Sequence, residues 1–197
     1  FGPGLYHVFN YTGTLTNNGL ALGSIPSSGV LVQTGVAQQV NLINTQGMAF
    51  AFWDGDAGPK DNNAINGGNG TWENGSSLSV HNWTDASGAV NAPFGDSSFS
   101  VFQAKPGTVT VDDGNGDINV AGMQFASNGY IVQGDAIHLV GNTDDATHSI
   151  IRVGDGTAAG AGYTATINSV LDGTSALVKT DAGTLVLGGA NTYTGGT

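Results

Sequence analysis

Along most of this chain, apolar and polar residues alternate in runs of only a few residues, and many of these runs end at Gly, Asn or Asp. Alternation sets one row of side chains on one face of an extended strand, and the Gly, Asn and Asp breaks supply turns. Val109 and Val111, then Ile118 and Val120, form such apolar pairs on either side of the turn-forming stretch Asp112 to Asp117. The rhythm continues through Met123 and Phe125, Tyr130 to Val132, and Ile137 with Leu139. It recurs at Val30-Leu31-Val32, at Val40, Leu42 and Ile43, from Met48 to Trp53, at Phe99, Val101 and Phe102, and from Ile150 to Leu187. The 33 glycines among 197 residues oppose helix, since each interior Gly costs roughly 1 kcal/mol relative to Ala. The chain is expected to be all-β.

Strands this short, with turns this frequent, suit a sandwich, a barrel or a solenoid. Unequal turns without regular hairpin spacing, and strands that end in Gly-Gly or Gly-Asn, favour a β-solenoid, whose tight corners use positive φ. Residues 54–93 differ from the rest. They are crowded with Gly, Asn, Asp and Ser and carry Trp72 and Trp83 among few aliphatics, which reads as a long loop excursion over the solenoid wall.

Only 10% of residues are charged, and four cations, Lys60, Lys105, Arg152 and Lys179, face fifteen carboxylates for a formal charge of -11. That balance opposes binding to a phosphate backbone, which excludes nucleic acid as a partner, and disfavours adsorption to anionic lipid. No apolar run approaches the roughly 20 residues of a membrane-spanning helix, so this segment is not expected to insert into a membrane. With no cysteine, thiol nucleophiles and thiolate metal sites are absent. The chain opens at Phe1 without an initiator Met and stops at Thr197 within a repeat-like motif, and so reads as a fragment or a mature product.

One turn suggests a metal. In Asp113-Gly114-Asn115-Gly116-Asp117-Ile118-Asn119, the residues Asp113, Asn115, Asp117 and Asn119 carry oxygens at alternate positions, the spacing by which a calcium loop wraps one hard cation. Ile118 stands where such a loop has Gly, and Gln124 where it has a bidentate Glu. The competing reading is a plain turn whose Asp and Asn bond their own backbone. No other cofactor is implied.

Catalytic patterns are not evident. His7, His81, His138 and His148 are scattered, there is no Gly-x-Ser-x-Gly, and the adjacent acids are Asp112-Asp113 and Asp144-Asp145, neighbours that point to opposite faces of a strand. Trp72 and Trp83 are the candidate ligand-binding residues: with Asp54, Asp56 and Asp61 they could line a groove for stacked sugar rings, or they could pin the loop by burying their own rings.

From Leu177 to Thr197 the sequence runs Leu-Val-Lys-Thr-Asp-Ala-Gly-Thr-Leu-Val-Leu-Gly-Gly-Ala-Asn-Thr-Tyr-Thr-Gly-Gly-Thr. This closely resembles the autotransporter-associated β-strand repeat, with Asp181-Ala182 as its one departure. Upstream, Tyr11 to Leu20, Phe52 to Gly55, Asn82 to Asp85, Thr108 to Asp112 and Met123 to Phe125 resemble the passenger segments that precede such repeats. The resemblance implies a right-handed parallel β-helix over residues 1–197, closing on a truncated repeat at 176–197, and exported across the outer membrane by a β-barrel outside this chain. It implies a non-enzymatic structural or adhesive surface segment, with host cell surface, matrix or glycan as partner. A carbohydrate-binding or carbohydrate-active β-helix is one alternative. Self-association along the solenoid axis into filaments is another. In the repeat, Leu185 and Leu187 are expected to face the core and Thr184 and Val186 the solvent.

Overall fold

The computed structural model describes residues 2–25, 28–75, 79–141 and 147–197; the acids Asp144-Asp145 lie outside them. Apart from one turn of 3-10 helix at Ala159–Gly162, every regular element there is a strand. Two largely parallel sheets carry most of the chain, which passes repeatedly from one to the other, leaving one to three successive strands in the first sheet for each strand in the second. The first holds β4 (Phe50–Trp53), β8 (Ser98–Phe102), β10 (Ile118–Phe125), β12 (Ile137–Leu139), β13 (His148–Val153), β15 (Leu171–Gly173) and β16 (Ala176–Thr180). The second holds β5 (Gly70–Glu73), β9 (Thr108–Asp112), β11 (Ile131–Gly134), β14 (Thr164–Ile167) and β17 (Thr184–Leu187), all parallel. The long strand β10 serves two partners, pairing through Ile118 to Val120 with β12 and through Gly122 to Phe125 with β13.

The apolar alternation points inward between these sheets. Val109, Val111, Val120, Met123, Phe125, Val132, Ile151 and Ile167 are all buried in one core. Leu185 and Leu187 pack against it, while Thr184 and Val186 are exposed, the orientation that alternation predicts. Parallel in-register strands also stack like residues at the strand spacing. Phe102 and Phe125 are register partners, with ring centroids 4.9 Å apart and planes 9° apart.

The expectation of one parallel stack throughout is not met at the N-terminal end. There β1 (Gly4–Asn10), β3 (Gln39–Asn44) and β2 (Val30–Gln33) form an antiparallel sheet in that order. It packs on the outer face of the first parallel sheet, where Leu5 and Ile43 meet Phe52, Phe99 and Val101 in a second core. That explains why all five residues of β8 are buried: Phe102 faces the inner core and Phe99 and Val101 the outer one. A strand covered on both faces loses the polar-out half of its pattern.

Three groups fasten the N-terminal sheet to the stack. Gln124 is fully buried; its Oε1 accepts from the Leu5 N–H at 2.6 Å, and its Nε2 donates to Leu5 O at 2.8 Å and to Gly154 O at 2.9 Å. The side-chain amide thus completes the ladder that β1 lacks on that edge. His7 N–H donates to Asp155 O at 2.7 Å. Arg152, also buried, donates through Nη1 to Pro3 O at 2.7 Å. A side chain at Gly4, where φ is +137°, would collide with Arg152 Nη1 and Gln124 Oε1, so this close approach needs glycine. Truncating Gln124→Ala strips both Leu5 backbone groups of their partner. Each orphaned buried group costs about 1–3 kcal/mol, so equilibrium denaturation is expected to show a loss of about 2–4 kcal/mol, and a loss under about 1 kcal/mol would contradict the anchoring role.

Residues 54–93 are more regular than a loop. They contain β5, which joins the second parallel sheet, and the antiparallel pair β6 (Trp83–Thr84) and β7 (Asn91–Ala92), which extends the first sheet beyond β4. Their Gly- and Asn-rich composition masks strands of two to four residues, too short for alternation to register.

Candidate functional surface

Trp72 and Trp83 are 0% and 2% exposed. Their rings meet edge-on at 4.9 Å and 63°, and Phe94 closes on both, at 5.1 and 5.0 Å. Trp53 packs edge-on against Trp83 at 5.2 Å, and its Nε1 donates to Gly68 O at 2.8 Å. A sugar platform needs an open ring face, and neither Trp72 nor Trp83 presents one. Of the two readings of these residues, the open groove is not what their burial gives; the rings are buried in an aromatic plug at the β4–β5 end of the core, where edge-to-face packing is favourable.

The acids of the same stretch hold the backbone in place. Asp54 is fully buried; Oδ1 accepts from Asn66 N–H at 2.8 Å and Oδ2 from Asn91 Nδ2 at 3.0 Å. Asp61 Oδ1 accepts from Asn91 N–H at 2.6 Å. Asp56 is exposed and accepts from the side chain and backbone of Asn69, which hold its carboxyl below the usual range. Lys60 turns its ammonium onto the carbonyls of Asp54 and Gly55, and burial lowers its pKa.

The candidate calcium residues each engage a different neighbour. Asp113 N–H donates to Asp135 Oδ2 at 3.2 Å, and Asn115 Nδ2 to Glu73 Oε2 at 2.8 Å. Asp117 gives its carbonyl to Asn74 Nδ2 at 2.9 Å, and Asn119 Nδ2 donates to Asp96 Oδ1 at 3.1 Å. Desolvation and the Asp135 carboxylate push the Asp113 carboxyl up. Among the described residues, no group of three or more His, Cys, Asp or Glu is placed to hold a metal ion. The stretch is a turn between β9 and β10 in which the Asn115 and Asn119 side chains are bonded to neighbouring acids and Asp113 and Asp117 are held through their main chain, and Asn119 already belongs to β10.

A polar row runs across the outside of the first sheet. Asn119 pairs with His138, and His138 with Asp172, in register. His138 Nδ1 lies against Asp172 Oδ1, and its Nε2 is 3.8 Å from Asp117 Oδ1. Of the four cations, Arg152 is paired with Asp181 and Lys60 and Lys179 are bound to main-chain carbonyls. Three of the four are thus consumed internally, and the surface keeps a strongly anionic character.

Sequence reasoning missed Gln124 and Arg152 as fasteners, and it missed that β2 ends its sheet. No helix among the described residues is long and apolar enough to cross a membrane.

Comparison with known proteins adds two findings. A family described as the passenger-associated-transport-repeat matches residues 177–197. The adhesin BmaC autotransporter of Brucella suis biovar 1 (strain 1330) is 55% identical over 197 residues, which is 100% of this chain and 6% of that protein. No solved structure matches. The chain therefore spans a small part of the curated relative, and the match runs through the N-terminal sheet, the aromatic plug and the stacked strands alike. With the repeat at one end and this identity along its whole length, the chain is similar throughout to autotransporter passenger sequence.

Proposed function

We propose that this chain is a right-handed parallel β-helical segment of an exported, surface-exposed passenger, and that its role is adhesive and structural rather than enzymatic. The observation that carries the reading is the 55% identity, along the whole chain, to part of a protein named as an autotransporter adhesin. The repeated passage of the chain between two largely parallel sheets supports a helical stack. So does the run after β17, where Thr192 N–H donates to Leu171 O at 2.9 Å and Thr194 N–H to Gly173 O at 3.0 Å. On this reading residues 177–197 begin a further coil, and residues 50–197 form one stack with the antiparallel sheet docked on its side.

Beads coated with the purified chain are expected to attach saturably to cultured host cells, well above albumin-coated beads. Equal attachment of the two would sink the adhesive part. Turnover of a glycan or an ester by the purified chain would sink the non-enzymatic part.

A further inference from the structure

The antiparallel sheet ends at β2, and the phase of its pairing decides which groups β2 leaves unused. Gly29 O accepts from Thr45 N–H at 2.9 Å, and Gly29 stands opposite Thr45 one step before the Val30↔Asn44 pair. Hydrogen-bonded and non-hydrogen-bonded pairs alternate in an antiparallel ladder. Leu31 and Gln33 therefore turn their N–H and C=O toward β3, and Val30 and Val32 turn theirs away. Among the described residues no hydrogen bond reaches those outward groups.

An edge like this is normally guarded by Lys, Pro, a bulge or a covering segment. Here it reads Val-Leu-Val-Gln. Beside it lies a groove of ≈ 270 Å³ lined by Leu31, Ile43, Phe50, Phe52 and Ala86, with the exposed Asp85 on one wall. Leu31 and Phe50 are only partly buried there. Asp85 Oδ1 accepts from Ser87 N–H, Ser87 Oγ and Gly88 N–H. Burial acts to raise its pKa, but the Ser87 hydroxyl and these amides outweigh it and hold the carboxyl below the usual range, so it is ionised at neutral pH.

We infer that the outer edge of β2 takes up an extended segment of a partner protein as a fourth strand, with an apolar side chain in the groove and a cationic one against Asp85. The backbone groups of Val30 and Val32 supply the ladder, and the residue set opposite Leu31 points into the groove with it, since facing residues share a side of the sheet. Charge chooses the occupant. A second copy of this chain would bring another -11 and another Asp85, whereas a basic strand is attracted. The inference rests on the adhesive reading above and names the kind of segment that reading would recognise.

The test uses a capped hexapeptide of alternating threonine and valine with a lysine at each end, titrated into the isotopically labelled 197-residue chain. The expected result is saturable shifts and slowed hydrogen exchange at the Val30 and Val32 amides. Val32→Pro removes one outward N–H, leaves the β3 ladder intact, and is expected to weaken binding about tenfold, the equivalent of one lost hydrogen bond. Asp85→Asn keeps the turn's acceptor oxygen and is expected to weaken this peptide while sparing one with glutamines in place of the lysines. Binding unchanged in Val32→Pro, or shifts confined elsewhere, would overturn the inference. So would the same amide shifts on raising protein concentration without peptide, which would mean a second copy. In the bead assay the two readings separate: no attachment by the unaltered chain removes the adhesive reading, and equal attachment by the Val32→Pro chain removes only the β2 edge.

Discussion

Trp72→Ala is expected to lower the unfolding free energy by about 3–5 kcal/mol, the range for truncating a large buried aromatic. The ring is fully buried, and it touches Trp83, Phe94 and Phe102 at centroid distances of 4.9, 5.1 and 5.7 Å. Its loss opens a cavity whose walls are other rings held by backbone on several strands, so the site cannot collapse fully. For a chain of this length each kcal/mol moves the midpoint by roughly 2–4 °C, and a thermal scan is expected to show a drop of about 10 °C. The loss should be local, because in a stacked protein each layer depends on its neighbours. Hydrogen exchange in β5 and β9 should rise before exchange in β14 and β17. A midpoint shift within about 2 °C would show that the plug does not hold this end of the stack.

Arg152→Ala is expected to cost about 3 kcal/mol, at the low end for breaking a buried ion pair, because the Asp181 side chain keeps 23% exposure against 4% for Arg152. The guanidinium is used on three sides. Nε and Nη2 meet the Asp181 carboxylate at 3.0 and 3.3 Å, Nη1 meets Pro3 O, and the plane sits 4.3 Å from the centre of the Tyr6 ring. One residue of β13 thereby ties β1 to the turn between β16 and β17. Removing it frees the N-terminal sheet more than the stack, and amide exchange in Gly4–Asn10 is the discriminating readout. A double-mutant cycle with Asp181→Ala should return a coupling of at least about 1 kcal/mol. Additive losses would mean that Arg152 acts by packing alone. Arg152→Lys should recover little, since an ammonium cannot serve three directions in one plane.

Much of the strand content was legible in the chain. Val109 and Val111, Ile118 and Val120, and Ile137 and Leu139 are buried strand residues where alternation puts them, and Val186 is exposed between the half-buried Leu185 and Leu187. Alternation is a local property with a period of two, so it survives without knowledge of any partner strand. The C-terminal repeat was legible for the same reason, being a fixed order of residues over a short stretch.

The candidate sites were less legible. Oxygen-bearing residues at alternate positions look alike whether they converge on an ion or tie a turn to its surroundings; here the Asn115 and Asn119 side chains reach Glu73 and Asp96, and Asp113 and Asp117 are tied to Asp135 and Asn74 through their main chain. An indole in a Gly- and Asn-rich stretch reads as a surface platform or as a buried pin, and only the placement of β5 and β6 carries it inward. Gln124 reads as a polar residue in a strand. Only the arrival of β1, separated from it by more than a hundred positions, makes it a surrogate peptide.

By itself, then, the sequence determined that the chain is all-β, that its strands are short, and that its surface is anionic, because propensity, alternation and charge act within a few residues or sum over the whole chain. The tertiary structure alone decided which strands lie side by side. Thr108, Ile131 and Thr166 are neighbours on one sheet at unequal separations along the chain, so no fixed period announces them. It also decided that the first strands run antiparallel against the outside of the stack, and that β2 keeps an open edge. Those outcomes depend on which distant backbone groups find partners, and that is settled only when the two cores close.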